Sequence, residues 1–546
     1  MTTGEQSQLG TGAVPRLFVR KASGLIREFG FFDTFAFNVI GYALGLVLAV
    51  TPFFAGALFP GANIYVVLTL GVLLSLFNGL IYGLLGAAMP RSGGEYVYNG
   101  RVLHPAIGFM SNWGFSWSQV LGIGIYTQWT VNYALAVSAA TIGYATGSDA
   151  LVDFGSFISR PWPSFLLGTL VLVSVVVVLL AGMRFLKRFL NTFFVLAVAG
   201  SLATLLVFLA NSRETFVEKF NEFMQNTQGL SDAYANVIAT AQANGFSLPP
   251  ESLGAAVLAL PLGYWVFIGF TYSAYIGGEI KEPQRTQTRA ILAALAFGYV
   301  FYMAALWAYF NVVGREFNHA AAYLEYNTDQ SPLPVAGVLN FFAGVLTDNV
   351  LLNVLIGVSF FLWHYLLLFV MVTIVVRNIF AWAFDRIMPI RLTEVTAKTH
   401  APWVATIVVA VLAWVLLWAS IFTPLFDYVF NYIAIFSVAF WITSFAAILL
   451  PYRRRDLFEA APPNVRRKFF GIPLLSVAGA VNLVLFSVIL YSSFTLPAFS
   501  GPVGPIAIAF LLGIYVSGLL LYFVAAALRR LEGIDLNLLY GEIPPE

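Results

Sequence analysis

The feature that most constrains this sequence is a succession of long apolar segments separated by short polar ones. They predict twelve membrane spans, which we number in chain order, at residues 33–58, 64–89, 106–146, 163–182, 189–211, 254–278, 289–313, 349–383, 402–420, 424–450, 473–494 and 505–529. The sequence is 60% hydrophobic and only 10% charged, which is more apolar surface than a soluble protein can bury. We therefore expect an all-α membrane protein.

Basic residues predict the orientation of these spans. With the N-terminus inside, only Arg160, Arg213, Lys219 and Arg315 of the 28 lysines and arginines lie on the outer side. Such an excess of basic residues on one side is typical of cytoplasmic segments. The sequence therefore predicts a multi-pass protein of the plasma membrane with both termini in the cytoplasm.

The same boundaries predict the domain organisation. Residues 1–30 form a cytoplasmic tail, and residues 31–450 form a ten-span core with extracellular segments at 211–253 and 314–349. A basic cytoplasmic loop at 451–472 precedes spans 11 and 12 at 473–530, and residues 531–546 form a second cytoplasmic tail. Phenylalanines at helical spacing in the first extracellular segment predict short amphipathic helices there.

Span 6 departs from an ordinary apolar helix. Its centre contains Gly269 and Thr271, and it closes with Gly277, Gly278 and Glu279. Backbone that leaves the helical hydrogen-bond ladder at this depth persists only where it faces protein, water or a bound molecule. The segment therefore predicts a broken helix that lines a cavity, and an ordinary span with a packing glycine is the alternative.

Two sequence blocks resemble the amino acid–polyamine–organocation (APC) transporters. Trp265, Phe267-Ile268-Gly269 and the run from Gly278 to Pro283 are similar to the family's sixth span, and the run from Pro90 to Tyr98 (PRSGGEYVY) is similar to its loop between spans 2 and 3. Weaker similarity extends over residues 377–389 and 450–453. On these motifs the chain is identified as a member of the superfamily, of the amino acid permease type.

The resemblance implies a LeuT-like fold, in which spans 1–5 and 6–10 form an inverted repeat and spans 1 and 6 are broken. Span 1 carries glycines at the corresponding place, at Gly41 and Gly45. The implied function is secondary active transport of an amino acid by alternating access, without enzymatic activity. Transport of polyamines, other amines or non-α-amino carboxylates, and a ligand sensor that does not transport, are the alternatives.

The broken spans are where the resemblance implies that substrate binds. Helix N-termini attract a carboxylate, and exposed carbonyl groups suit an ammonium group. The implied substrate-binding residues are Asn38, Gly41, Tyr42, Ala43, Trp265, Ile268, Gly269, Thr271 and Tyr272. For the aromatic members of this set, packing in the protein core is the alternative.

Two positions in this set bear on the substrate. Relatives carry Gly-small-Gly in span 1, so Tyr42 and Ala43 are departures that narrow the predicted carboxylate pocket. Thr271 occupies a position where relatives that take cationic substrates can carry an acid. The resemblance therefore favours neutral amino acids.

Few polar groups in the predicted spans could couple transport to an ion. Span 8 has Ser359 where sodium-coupled relatives have two hydroxyl groups, and span 5 lacks the lysine of some proton-coupled relatives. His364 is the central group that titrates near neutral pH. His364 and Ser359 are the candidate coupling residues, and a proton is the candidate ion, with a neutral packed histidine as the alternative.

Acidic residues near the cytoplasmic face are candidates for gating. We expect Glu95 and Glu279 to form ion pairs with cytoplasmic basic residues, because a lone carboxylate at the membrane edge is costly. Beyond a small-molecule substrate and membrane lipid, the sequence predicts no cofactor, no metal and no nucleic-acid partner. It contains no cysteine, and its four histidines are scattered.

Overall fold

A computed structural model describes residues 27–328, 330–424, 432–495 and 505–534, together with Leu536 and Tyr540. The predicted N-terminal tail up to residue 26 and most of the predicted C-terminal tail lie outside the described residues. In chain order the first α-helices are α1 (Phe31–Gly41), α2 (Leu44–Leu58), α3 (Ile64–Ala88), α4 (Glu95–Val102), α5 (Pro105–Trp129), α6 (Ala136–Thr146), α7 (Asp149–Ile158), α8 (Pro161–Leu180), α9 (Met183–Leu209), α10 (Arg213–Gln228), α11 (Ala233–Ala243), α12 (Leu253–Leu258) and α13 (Leu260–Trp265).

The second part of the chain is also mainly helical. It contains α14 (Pro283–Val313), α15 (Arg315–Asn327), α16 (Leu339–Val345), α17 (Val350–Phe384), α18 (Trp403–Phe422), α19 (Tyr432–Arg453), α20 (Arg455–Ala460), α21 (Leu474–Thr495) and α22 (Pro505–Leu531). A two-stranded antiparallel hairpin, β1 (Lys468–Phe469) and β2 (Ile472–Pro473), precedes α21.

Ten helical segments of the described residues are long and apolar enough to cross a membrane. They are Phe31–Leu58, Ile64–Ala88, Pro161–Leu180, Met183–Leu209, Pro283–Val313, Val350–Phe384, Trp403–Phe422, Ile433–Arg453, Leu474–Thr495 and Ile506–Leu531. Each overlaps a predicted span closely, because long apolar runs without charge have few other ways to fold. The chain is therefore a multi-pass membrane protein.

The other two predicted spans differ from simple apolar helices. Residues 105–146 form a continuous helical segment in which a π-helical turn, Thr130–Leu135, joins α5 to α6, and polar side chains such as Asn112 and Gln119 are buried along it. Residues 253–279 are divided among α12, α13 and two short 3-10 helices, Tyr272–Tyr275 and Gly277–Glu279. The predicted break in span 6 is therefore present.

The helices pack so that α1, α2 and segment 260–279 lie inside the bundle. Helix α3 packs against α13 and α14, and α17 packs against α5 and α9. The predicted amphipathic helices of segment 211–253 are α10 and α11, and the rings of Phe216 and Phe220 on α10 are buried against Phe317 and Phe342. These aromatic contacts join the two segments predicted to be extracellular.

Candidate functional site

The helix of span 1 is interrupted at Tyr42 and Ala43. Helix α1 ends at Gly41 and α2 begins at Leu44, and Ala43 between them has the left-handed backbone angle φ of +47°. Within the described ranges, no side chain caps the start of α2. The first N–H groups of a helix have no partner within that helix, so this end of α2 presents donors and a partial positive charge.

Span 6 is interrupted directly opposite. Helix α13 ends at Trp265, and the chain passes through Gly269 with φ of +108°, a conformation that side chains other than glycine's rarely adopt. A Cβ atom on Gly41 would lie 2.5 Å from the carbonyl oxygen of Gly269. The two interruptions therefore touch through two glycines, and neither position has room for a side chain.

A small cavity, with about 10 Å³ of space open to a water molecule, lies beside this contact. Six of the predicted substrate-binding residues line it, namely Gly41, Tyr42, Ala43, Trp265, Ile268 and Tyr272. The remaining wall comes from Leu46, Val47, Tyr126, Leu367 and Met371. The structure thus brings the two predicted halves of the site to one place.

Tyr42 occupies the position where a small residue was expected. Its hydroxyl donates a hydrogen bond to the carbonyl oxygen of Ala294 in α14, at 3.0 Å. A Cβ atom on Gly298 would lie only 2.8 Å from the same hydroxyl, so the absence of a side chain at Gly298 makes room for the phenol. Much of the bulk of Tyr42 is thereby directed into α14, which reduces the predicted narrowing of the pocket.

The other three predicted substrate-binding residues do not line the cavity. The side-chain oxygen of Asn38 accepts a hydrogen bond from the backbone N–H of Ser273, at 2.9 Å, and so joins α1 to the interrupted segment. Gly269 provides the glycine contact, and Thr271 is buried, with its carbonyl oxygen accepting from the N–H of Ala274. These three residues contribute to the packing and backbone hydrogen bonds of the interrupted segments.

The cavity wall also contains residues that the sequence did not single out. Tyr126 comes from α5, and Leu367 and Met371 lie four residues apart on α17. The sequence carries no local signal for them, because each belongs to a regular helix and faces the cavity only through the packing of distant segments.

Residues 29–526 match a protein-family model described as amino acid permease. The match covers most of the chain. The protein belongs to this family. It is therefore a multi-pass membrane transporter for amino acids or related organocations, and its family is one of transporters rather than enzymes.

Ser359 of the permease lies beside a second hydroxyl group from a different helix. Its hydroxyl donates to the carbonyl oxygen of Ala197 at 2.6 Å, and the Ser201 hydroxyl lies 3.4 Å away. The indole N–H of Trp363 donates to Ser201 at 2.8 Å, and the ring fills the space beside Gly45. The two hydroxyls are thus part of a packed contact between α9 and α17.

His364 lies one residue further along α17 and is fully buried. Its Nδ1 donates to the carbonyl oxygen of Phe360 at 2.8 Å, one turn earlier in the same helix. Among the described residues, no group hydrogen-bonds to its Nε2. Neither His364 nor Ser359 lines the cavity, and their role in coupling stays a prediction.

The two acidic residues predicted to form the inner gate have different partners. Glu279 forms a buried ion pair with Arg377 of α17, as predicted, and its backbone carbonyl accepts from the N–H groups of Glu28 and Phe29. Glu95 is also buried, but no lysine or arginine of the described ranges lies within ion-pair distance of it. The predicted ion pair at Glu95 is therefore not found within the described ranges, where neutral donors contact this carboxyl group.

Proposed function

We propose that the permease carries a neutral amino acid across the plasma membrane by alternating access and binds it in the cavity between the two interrupted helices. In this proposal the substrate carboxylate meets the N-terminal donors of α2, and its ammonium group meets the carbonyl groups that follow α13. The observation that carries the proposal is the contact between Gly41 and Gly269, because it places both broken ends at the wall of one cavity.

The composition of the wall supports a neutral side chain on the substrate. Leu46, Val47, Ile268, Leu367 and Met371 are apolar, and the tyrosines and Trp265 offer aromatic surface. None of the described residues that line this wall is an aspartate or a glutamate. A buried cationic side chain without a counter-charge is costly, so lysine, arginine and polyamines fit this cavity poorly.

A thermal-unfolding screen of the purified permease tests the substrate class. We expect apolar neutral amino acids such as L-leucine to raise the unfolding temperature, while L-lysine, L-glutamate and spermidine leave it unchanged. At a hundred times its dissociation constant, a ligand stabilises the folded state by about 2.7 kcal/mol. If spermidine or L-lysine raises the unfolding temperature and L-leucine does not, the result would contradict a neutral amino acid and favour a polyamine or another amine as the substrate.

The proposal includes a membrane orientation and an architecture. We assign twelve spans, an inverted repeat of spans 1–5 and 6–10 within a transport core at 31–450, and cytoplasmic termini. Support comes from the asymmetric distribution of basic residues and from the interruptions at equivalent places in spans 1 and 6.

Cysteine labelling tests the orientation on a clean background, because the native chain has no cysteine. Ser231 in the proposed extracellular segment and Glu459 in the proposed cytoplasmic loop are both exposed. We expect a membrane-impermeant maleimide to label Ser231→Cys in intact cells and to label Glu459→Cys only after permeabilisation. The reverse pattern would contradict the orientation.

A further inference from the structure

Glu95 begins helix α4, which follows α3, and its carboxyl group is completely buried. One oxygen accepts a hydrogen bond from the side-chain amide of Asn112 in α5, at 2.8 Å, and the other accepts from the hydroxyl of Tyr82 in α3, at 3.2 Å. These donors are neutral, and no lysine or arginine in the part of the chain that the structure describes forms an ion pair with this carboxyl group. Three helices meet at this one acidic group.

The same carboxyl group faces residues 272–279, which we call the inner part of span 6. The backbone N–H of Gly93 donates to the carbonyl oxygen of Tyr275 at 3.1 Å, and Ser92 forms a β-bridge with Ile276. The buried hydroxyl of Tyr275 interacts with Glu95 and with Tyr82. Glu95 therefore lies where α4 and the inner part of span 6 are held together.

The 3-10 helix Tyr272–Tyr275 connects this contact to the cavity. Tyr272 at its start lines the cavity and donates to the side-chain oxygen of Gln119 at 2.8 Å, and Tyr275 at its end faces Glu95. The centres of the two rings are 6.2 Å apart. A displacement of this single turn would therefore change the surroundings of both the cavity and the carboxyl group.

The charge state of Glu95 depends on whether water reaches it. Burial raises its pKa from 4.5 to about 7, against the lowering effect of its hydrogen bonds. The titratable groups that act on it are phenols, on α3, on α4 itself, in segment 272–275 and on α22, at Tyr82, Tyr98, Tyr272, Tyr275 and Tyr515. Phenols are neutral at physiological pH, so none of these groups holds a charge that would fix the state of Glu95.

We propose that the carboxyl group of Glu95 is the proton-binding site that couples the conformational change of the permease to pH. It holds a proton while the inner part of span 6 is packed against α4. When these elements separate, water enters, the O–H bond breaks, and the proton passes to water on the cytoplasmic side. The inference rests on the proposed function, since a coupling proton has a role only if the permease transports, and it places coupling at Glu95 rather than His364.

The sign of the pH dependence follows from this assignment. Glu95 has the higher pKa in the closed state, so that state is stabilised at low pH and loses this advantage as the pH rises through 7. Substrate that selects the closed state should bind more tightly at low pH. With an ordinary carboxyl pKa in the open state, L-leucine should bind about tenfold more tightly at pH 6 than at pH 8.

The experiment compares wild type with Glu95→Gln, His364→Gln and Glu325→Gln, using L-leucine as the probe. Glutamine resembles the protonated carboxyl group, so Glu95→Gln should bind L-leucine with the same affinity at pH 6 and pH 8. Glu325 in α15 is a partly buried glutamate whose pKa is also raised by burial, and its variant is the matched control. The variants His364→Gln and Glu325→Gln should both keep the tenfold pH dependence of L-leucine binding. The proposal would be overturned if His364→Gln lost this pH dependence and Glu95→Gln kept it.

Infrared difference spectra between pH 6 and pH 8, recorded without substrate, test the protonation separately. Wild type and Glu325→Gln should show the C=O band of a carboxylic acid that disappears at pH 8, and Glu95→Gln should lack it. A band that is absent from wild type, or that persists in Glu95→Gln, would overturn the proposal. If the band behaves as expected but L-leucine binds at neither pH, the proposed substrate fails while the proton site stands.

Discussion

Replacing Arg377 by methionine is expected to lower the free energy of unfolding by about 3–5 kcal/mol, because breaking a buried ion pair by removing one of its members is strongly destabilising. The side chains of Glu279 and Arg377 are only 1% and 7% exposed. The pair also joins segment 260–279 to α17 at the face that we assign to the cytoplasm. Thermal or denaturant unfolding of the purified permease in detergent measures the change.

Two further variants separate loss of the ion pair from loss of packing. Adding Glu279→Gln to Arg377→Met removes the charge that Arg377 balanced and should restore much of the lost stability. Lys219→Met removes an ion pair with Asp348, at 2.7 Å, but that aspartate is 91% exposed, so the change should cost less than about 1 kcal/mol. Equal losses in Arg377→Met and Lys219→Met would contradict a stabilising role for the buried pair.

The sequence was sufficient to predict most of the helices, because an apolar run that crosses a membrane has to satisfy its own backbone hydrogen bonds. The predicted span 64–89, for example, corresponds to α3 at Ile64–Ala88. The break in span 6 was also predictable, since Gly269 and the polar residues around it weaken the apolar run. The π-helical turn between α5 and α6 had no such signal, because its residues are compatible with an ordinary helix.

The cavity wall was only partly predictable. Gly41 and Trp265 lie at interruptions that the sequence marks, whereas Tyr126 and Met371 reach the cavity through the packing of α5 and α17. The accommodation of Tyr42 depends on Gly298, a residue of α14 that is distant in the sequence. Such compensation depends on which helices are neighbours, and periodicity along one chain does not specify this.

Glu95 shows that the cost of burying a carboxylate does not by itself specify the partner of the carboxyl group. An uncompensated carboxylate is costly to bury, and an ion pair is one way to avoid that cost. The structure has neutral donors, Asn112 and Tyr82, around a carboxyl group whose raised pKa favours the protonated form. Sequence alone does not distinguish a paired carboxylate from a protonated carboxylic acid.

Uptake of radiolabelled L-leucine into proteoliposomes loaded with unlabelled L-leucine tests the central claim, transport through the cavity between the interrupted helices. We expect uptake by wild type, and a decrease of roughly fivefold to 150-fold in Gly41→Ala. The added methyl group would press on the Gly269 carbonyl, and overpacking of this kind costs about 1–3 kcal/mol.

Gly513→Ala is the matched control for the same measurement, because a Cβ atom at this position of α22 meets no atom within 4 Å. It should transport at the wild-type rate, and both variants should elute as folded protein in size-exclusion chromatography. Folded Gly41→Ala with uptake far below that of Gly513→Ala is the result that we predict. Transport through this cavity would be contradicted if Gly41→Ala took up L-leucine at the wild-type rate. It would also be contradicted if wild type took up no more L-leucine than liposomes without the permease.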